Sequence, residues 1–225
     1  MNESITAIAI DGPAGAGKST IARAVAKKMG YIYVDTGAMY RAMALYLIRE
    51  KISPDDREKI EKACDNAVIS IDHINGEQVV LLGEENVNGL IRTEEVSSMA
   101  SKSSANERVR AKLVALQQEL AAKRSVVMDG RDIGTKVLPN AAVKIFLTAD
   151  ADVRAKRRYD ELTSKGVSCD LNEIKKDITE RDHQDMTRAI SPLKKADDAI
   201  LVDTSAMTIE EVTERILSII NSKSV

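Results

Sequence analysis

The stretch Ile10-Asp11-Gly12-Pro13-Ala14-Gly15-Ala16-Gly17-Lys18-Ser19-Thr20 constrains the fold more than any other part of the chain. It fits the phosphate-loop pattern G-x-x-x-x-G-K-[ST], with Gly12, Gly17, Lys18 and Ser19 at the required positions. Such a loop works between a strand and a helix. The apolar run Ala7-Ile8-Ala9-Ile10 ahead of it predicts a buried strand. Thr20 to Met29 behind it predicts a helix with Ile21, Val25 and Met29 on one face. Glycines let backbone N–H groups curl around an anion, the helix N-terminus adds about half a positive charge, and Lys18 adds a whole one. A bound nucleoside triphosphate is the expectation.

The same alternation continues along the chain. Ile32-Tyr33-Val34, Ser125 to Met128, Val143 to Leu147 and Ala199 to Val202 read as further strands. Between them, Val109, Leu113, Leu116 and Leu120 form one helical stripe. Ile209, Val212, Ile216 and Ile219 form another, behind a capping box from Thr208 to Glu211. Strands that are apolar through their length and alternate with helices predict an α/β fold with a parallel central sheet. Two stretches break the rhythm. Val68 to Leu82 reads as short strands around an Asn75-Gly76 turn, a β insert. Asp150 to about Arg188 is charged, helical and rich in arginine, and reads as a mobile appendage.

Composition narrows the function. At 225 residues the chain is expected to form one domain with small insertions. A net charge of −2, no Trp and a single Phe argue against a nucleic-acid surface. No apolar run is long enough to span a membrane. No signal peptide is expected before the first strand. Cys64 and Cys169 match no metal or redox spacing, which suits reduced thiols in a cytoplasmic protein.

Four further groups of residues could carry chemistry. Asp129-Gly130-Arg131-Asp132 follows a strand directly, and ligands of open α/β sheets bind at the carboxyl ends of strands. Asp129 is placed to hold Mg²⁺, with Arg131 and Asp132 beside it. After the second strand, Thr36 reads as a helix N-cap, and Arg41, one turn on, offers a two-pronged fork to a phosphate. From Leu171, behind a capping pair of Asp170 and Glu173, an apolar face of Leu171, Ile174 and Ile178 runs on into Arg181, Asp185 and Arg188. A face that turns from apolar to charged is expected to end in a polar cleft, unless it is a ladder of ion pairs. Arg154, Arg157 and Arg158 share one side of the preceding helix and would repel one another unless an anion lies between them or the face is simply solvated.

Taken together, these motifs resemble the bacterial cytidylate kinases, a family of P-loop nucleoside monophosphate kinases, over nearly the whole chain. The matching segments are IDGPAGAGKST, VDTGAMYR, IRTEEVS, MASKSSANERVR, MDGRDIGT, VKIFLTA, RRYDEL and ERDHQDMTRAISPL, and the hairpin near Asn75 matches the family's insert. The resemblance implies a P-loop three-layer fold. Its core would be about 1–35, 105–150 and 189–225, its monophosphate-binding region about 36–104, and its helical lid about 151–188. It implies transfer of the γ-phosphoryl group of ATP to CMP or dCMP, by a monomer.

The roles follow position by position from the resemblance. Gly12, Pro13, Ala14, Gly15, Ala16, Gly17, Lys18, Ser19 and Thr20 would bind ATP, and Ser19 with Asp129 would hold Mg²⁺. Arg41, Arg131 and Arg188 would face the CMP phosphate, near Thr36. Asp185 and Arg181 would face its sugar, and Ser101, Arg110 and Asp132 would read its base. Cytosine offers an amino donor that a carboxylate accepts. Lys18, Arg131 and Arg188 would take part in the transfer, with Arg157 or Arg158 brought in by lid closure. Another P-loop kinase is the alternative, but the adenylate-kinase string D-G-[FY]-P-R is replaced here by Asp129-Gly130-Arg131-Asp132. A nucleotide-dependent switch is a second alternative, and neither N-K-x-D nor D-x-x-G occurs.

Overall fold

The computed structural model describes residues 5–74 and 77–223. In chain order the elements begin with β1 (Ala7–Asp11), α1 (Lys18–Met29), β2 (Ile32–Asp35), α2 (Thr36–Arg49), α3 (Arg57–Asn66), β3 (Ile69–Ile74), β4 (Glu77–Leu82) and β5 (Glu85–Asn86). They continue with α4 (Glu94–Ser103), α5 (Glu107–Lys123), β6 (Val126–Gly130), β7 (Val143–Thr148), α6 (Ala151–Ser164), α7 (Leu171–Thr187), β8 (Ile200–Asp203) and α8 (Ile209–Lys223). By internal contacts the chain forms two compact units, one mainly of Ile32–Ser125 and one of Thr6–Tyr31 with Val126–Val225.

The unit carrying the phosphate loop is built on parallel strands in the order β6-β1-β7-β8. Ile8, Ala9 and Ile10 of β1 are wholly buried, as a strand covered on both faces requires. The register sets Ile10 beside Asp129, and Asp11 beside both Gly130 and Phe146. The carboxyl ends of β1 and β6 are therefore level, with β7 running two residues further, so the loop after β1 and the segment after β6 open side by side. Helix α8 shows the reciprocal cap: the Thr208 N–H donates to Glu211 Oε2 at 2.8 Å, and the Glu211 N–H donates to Thr208 Oγ1 at 3.2 Å. It buries Val212, Ile216, Ile219 and Ile220, whereas Ile209 stays exposed at the first position.

The other unit packs α2 against α4 and α5 around Met39, Met43, Leu47, Ile60, Ile91 and Leu113. β3 and β4 pair antiparallel from Ile69↔Leu82 to Ile74↔Glu77, and β5 adds a short third strand. This is the expected β insert; its Asn75-Gly76 turn lies outside the described residues. Helix α5, expected from the sequence to belong with the core segment, packs in this unit against α2 and α3, because Val109 and Leu113 complete its apolar centre.

Candidate phosphoryl-transfer site

The loop leaves β1 at Gly12, whose φ of +152° few L side chains adopt. A Cβ there would stand 2.0 Å from the carbonyl oxygen of Leu147 in β7, so only glycine passes. Gly17, at φ +83°, caps α1 in the left-handed region and turns the chain into the helix. Lys18 follows, buried, with Nζ donating to Pro13 O at 2.6 Å. Burial, and then the neighbouring Arg131 charge, push its ammonium down to about 7. Next to it the exposed Ser19 donates from Oγ to Asp129 Oδ2 at 2.9 Å, bringing together the two residues expected at the metal. One hydroxyl and one carboxylate fit Mg²⁺, which keeps most of its shell for water and phosphate oxygens.

The segment after β6 is held from below by a residue that the sequence pattern did not single out. Asp11, the last residue of β1, is buried; Oδ1 accepts from the Ile133 N–H at 2.8 Å and Oδ2 from the Gly134 N–H at 2.7 Å. Burial pushes its carboxyl up to about 6. These bonds start the π-helical turn Ile133–Val137, and the buried Asp132 stands just ahead of that turn.

Arg131, Asp185 and Arg188 are brought together. Arg131 Nε donates to Asp185 Oδ2 at 2.7 Å. Arg188 Nη1 lies 3.5 Å from Asp185 Oδ1, and its Nε donates to Ser191 O at 2.6 Å.

Two expectations about α6 and α7 need correcting. The buried stripe of α7 runs Ile174, Ile178, Asp182, not Ile174, Ile178, Arg181; Arg181 and Leu171 face outward. Asp182 goes inward because Arg154 of α6 meets it, Nη1 donating to Oδ2 at 2.6 Å, with both side chains buried. Nor do the three arginines of α6 share one side, since Arg154 is buried on Asp182. Arg157 donates to Thr204 Oγ1 and O, and Arg158 pairs with Glu161 on the exposed face. Asp170 caps α7 as expected, accepting from the Asn172 and Glu173 N–H groups.

The remaining candidates lie in the other unit. The N-cap of α2 is Asp35 rather than Thr36: Asp35 Oδ1 accepts from the Ala38 N–H at 2.9 Å, and Thr36 is the first helical residue. Asp35 Oδ2 also pairs with Arg41 at 3.1 Å and lies 3.8 Å from Arg92. Gln78 of β4 grips the Asp35 backbone with both ends of its amide, accepting from N–H at 2.7 Å and donating to C=O at 3.2 Å. Arg110 is buried over the Tyr40 ring, 5.5 Å from its centroid, and donates to Ser104 O. Ser101 is half-buried on α4.

Residues 8–222 match the model of the cytidylate kinase family. The chain belongs to that family. Cytidylate kinases of Caldicellulosiruptor bescii and Listeria monocytogenes serotype 4b are each 51% identical to it, over 94% and 96% of both chains. The cytidylate kinase of Carboxydothermus hydrogenoformans is 50% identical over 96% of this chain and 98% of its own. The family makes the chain a phosphotransferase that takes its phosphoryl group from a nucleotide and supports phosphorylation of CMP; neither another P-loop kinase nor a switch is favoured. A gluconokinase structure from Sinorhizobium meliloti 1021 shares the fold at a TM-score of 0.52 and 15% identity, covering 97% of this chain and 93% of its own. A structure from Eubacterium ventriosum does so at 0.54 and 14%, covering 97% and 99%. Among the described residues no helix is long and apolar enough to cross a membrane.

Proposed function

We propose that the chain transfers the γ-phosphoryl group of ATP to CMP and dCMP, releasing ADP with CDP or dCDP. The reading is carried by the convergence of Arg131, Asp185 and Arg188 in the unit that holds the phosphate loop, within a chain of this family. The Arg41 Nε–H supports it: it is buried without a partner among the described residues, as expected of a fork that waits for a phosphate.

Lys18 exchanges Pro13 O for phosphate oxygens when the donor binds, and regains its full charge beside them. Ser19 and Asp129 would hold Mg²⁺, which neutralises charge on the donor phosphates. Arg41, Arg131 and Arg188 face the acceptor phosphate and orient one of its oxygens in line with the γ-phosphorus. Charge spread over the equatorial oxygens is then offset by fixed cations rather than by water. Asp185 would take the sugar, with Arg181 turning in from its exposed position, and Thr36 and Arg41 would serve the phosphate. Asp132 accepts from the cytosine amino group while Arg110 and Ser101 donate to its ring acceptors. Uracil, with a carbonyl where cytosine has the amino group, leaves Asp132 facing an acceptor. Helices α6 and α7 would close as a lid and exclude water that would otherwise hydrolyse ATP, with Arg157 leaving Thr204, or Arg158 leaving Glu161, to reach the transition state.

A coupled assay of ADP release with CMP, dCMP, UMP and AMP tests this. CMP and dCMP are expected to exceed the others by at least tenfold in kcat/KM. Equal use of UMP or AMP, or ADP release with no acceptor at all, would refute it.

A further inference from the structure

One residue of the phosphate loop is gripped on both sides by a single buried ion pair. The Ala14 N–H donates to Asp182 Oδ1 at 3.0 Å, and the Ala14 C=O accepts from Arg154 Nη1 at 2.8 Å. The same Nη1 donates to Asp182 Oδ2 at 2.6 Å, and Arg154 Nε donates to Ala149 O at 2.8 Å. The guanidinium is therefore tied at three points: the loop, α7 and the junction between β7 and α6. Arg154 and Asp182 are each 6% exposed. The next residue presses on the same place. A Cβ at Gly15, where φ is +73°, would meet Arg154 Cβ at 3.4 Å and Ile178 Cδ1 at 3.6 Å.

Joining α6 to α7 would not need this arrangement, because a well-packed apolar pair does that at least as well as a buried ion pair. Charge does not explain it either, since a carboxylate beside an anion-binding loop works against the anion. What the pair supplies is direction. It fixes the two peptide planes that flank the Ala14 Cα. A trans peptide points its C=O and the following N–H opposite ways. With the Ala14 C=O held on Arg154, the Gly15 N–H is turned away from the ion pair and stays available to a ligand.

We propose that Arg154 and Asp182 are positioning residues for the donor nucleotide, setting the peptides at Ala14 so that the N–H groups after them face its phosphates. The pair touches no phosphate itself. The assignment of the ligand rests on the donor reading given above.

Direct titrations with a non-hydrolysable ATP analogue plus Mg²⁺, and separately with CMP, test the idea on the intact protein. Asp182→Ala uncovers the Arg154 charge, so electrostatics alone would tighten the analogue. Loss of peptide orientation weakens it instead, and at least a fivefold rise in its Kd is expected, with the CMP Kd within twofold. Arg154→Lys keeps the charge, cannot reach all three oxygens at once, and is expected to show the same donor-selective loss should the alanine variant fold poorly. The Ala14 amide resonance should move in both variants. Analogue binding that is unchanged or tighter, or equal losses for analogue and CMP, would overturn the proposal. Because no titration needs turnover, a wild-type protein that fails to phosphorylate CMP would unseat the functional reading and leave this comparison standing.

Discussion

Gly12→Ala perturbs the site through one contact whose size can be worked out. The added Cβ would lie 2.0 Å from Leu147 O and 3.0 Å from Leu147 C, both backbone atoms of β7. A carbon and a carbonyl oxygen settle no closer than about 3.3 Å, so the loop or the strand end must shift by roughly 1 Å. Overpacking of this kind costs about 1–3 kcal/mol, and a non-glycine residue in a sparsely populated φ region costs about as much again. Together these predict a destabilisation of about 2–6 kcal/mol, measured by urea unfolding. A displacement of about 1 Å in a phosphate cradle is also expected to lower turnover about a hundredfold. Gly30→Ala is the control. Gly30 has φ +68° and nothing within 4 Å of where the new methyl would stand, so only the backbone cost of about 1–2 kcal/mol applies and turnover holds. If Gly12→Ala were as stable and as active as Gly30→Ala, the contact with Leu147 would not be what shapes the loop.

Two further outcomes follow from protonation. The free Lys18 ammonium titrates near 7 because it is buried and then because Arg131 adjoins it, so a triphosphate that restores its charge should take up protons at pH 7.5–8. Calorimetry in two buffers of different ionisation heat reads that uptake, and Lys18→Met should abolish it. Asp11 is raised from 3.8 to about 6 by burial, so between those pH values the folded chain holds a proton that the unfolded chain has released. Its contribution to stability is therefore greatest below pH 4 and falls by about 3 kcal/mol as pH rises through 6. The gap in unfolding free energy between wild type and Asp11→Ala should narrow by about that much from pH 4 to pH 7; parallel profiles would count against it.

Much of this was legible in the chain. The parallel strands read correctly because each carries a short run of mostly apolar residues, although Lys144 interrupts β7 and Leu201 of the edge strand β8 is exposed. Gly12, Lys18, Ser19 and Asp129 could be paired in advance because strand ends in such sheets face one ligand. What failed was local and had local causes. Asp35 and Thr36 are both good caps, and only the Ala38 N–H, 2.9 Å from Asp35 Oδ1, decides between them. Positions 181 and 182 both continue the stripe from Ile178, one at i+3 and one at i+4. Arg154 arriving from another helix turns Asp182 inward. Asp11 gave no periodic signal, since its partners are two backbone N–H groups more than a hundred residues away.

The contacts that shape the phosphate loop also bear on how quickly the donor is captured. Gly12 is wedged under Leu147, Lys18 rests on Pro13, and Ala14 is pinned between two helices. Freezing a backbone residue costs about 1–2 kcal/mol, and a loop that ordered only around its ligand would bear that cost at every encounter. Here it is met during folding. Association of the triphosphate should then approach the encounter rate that charge steering allows, with the slow events of the cycle falling after capture.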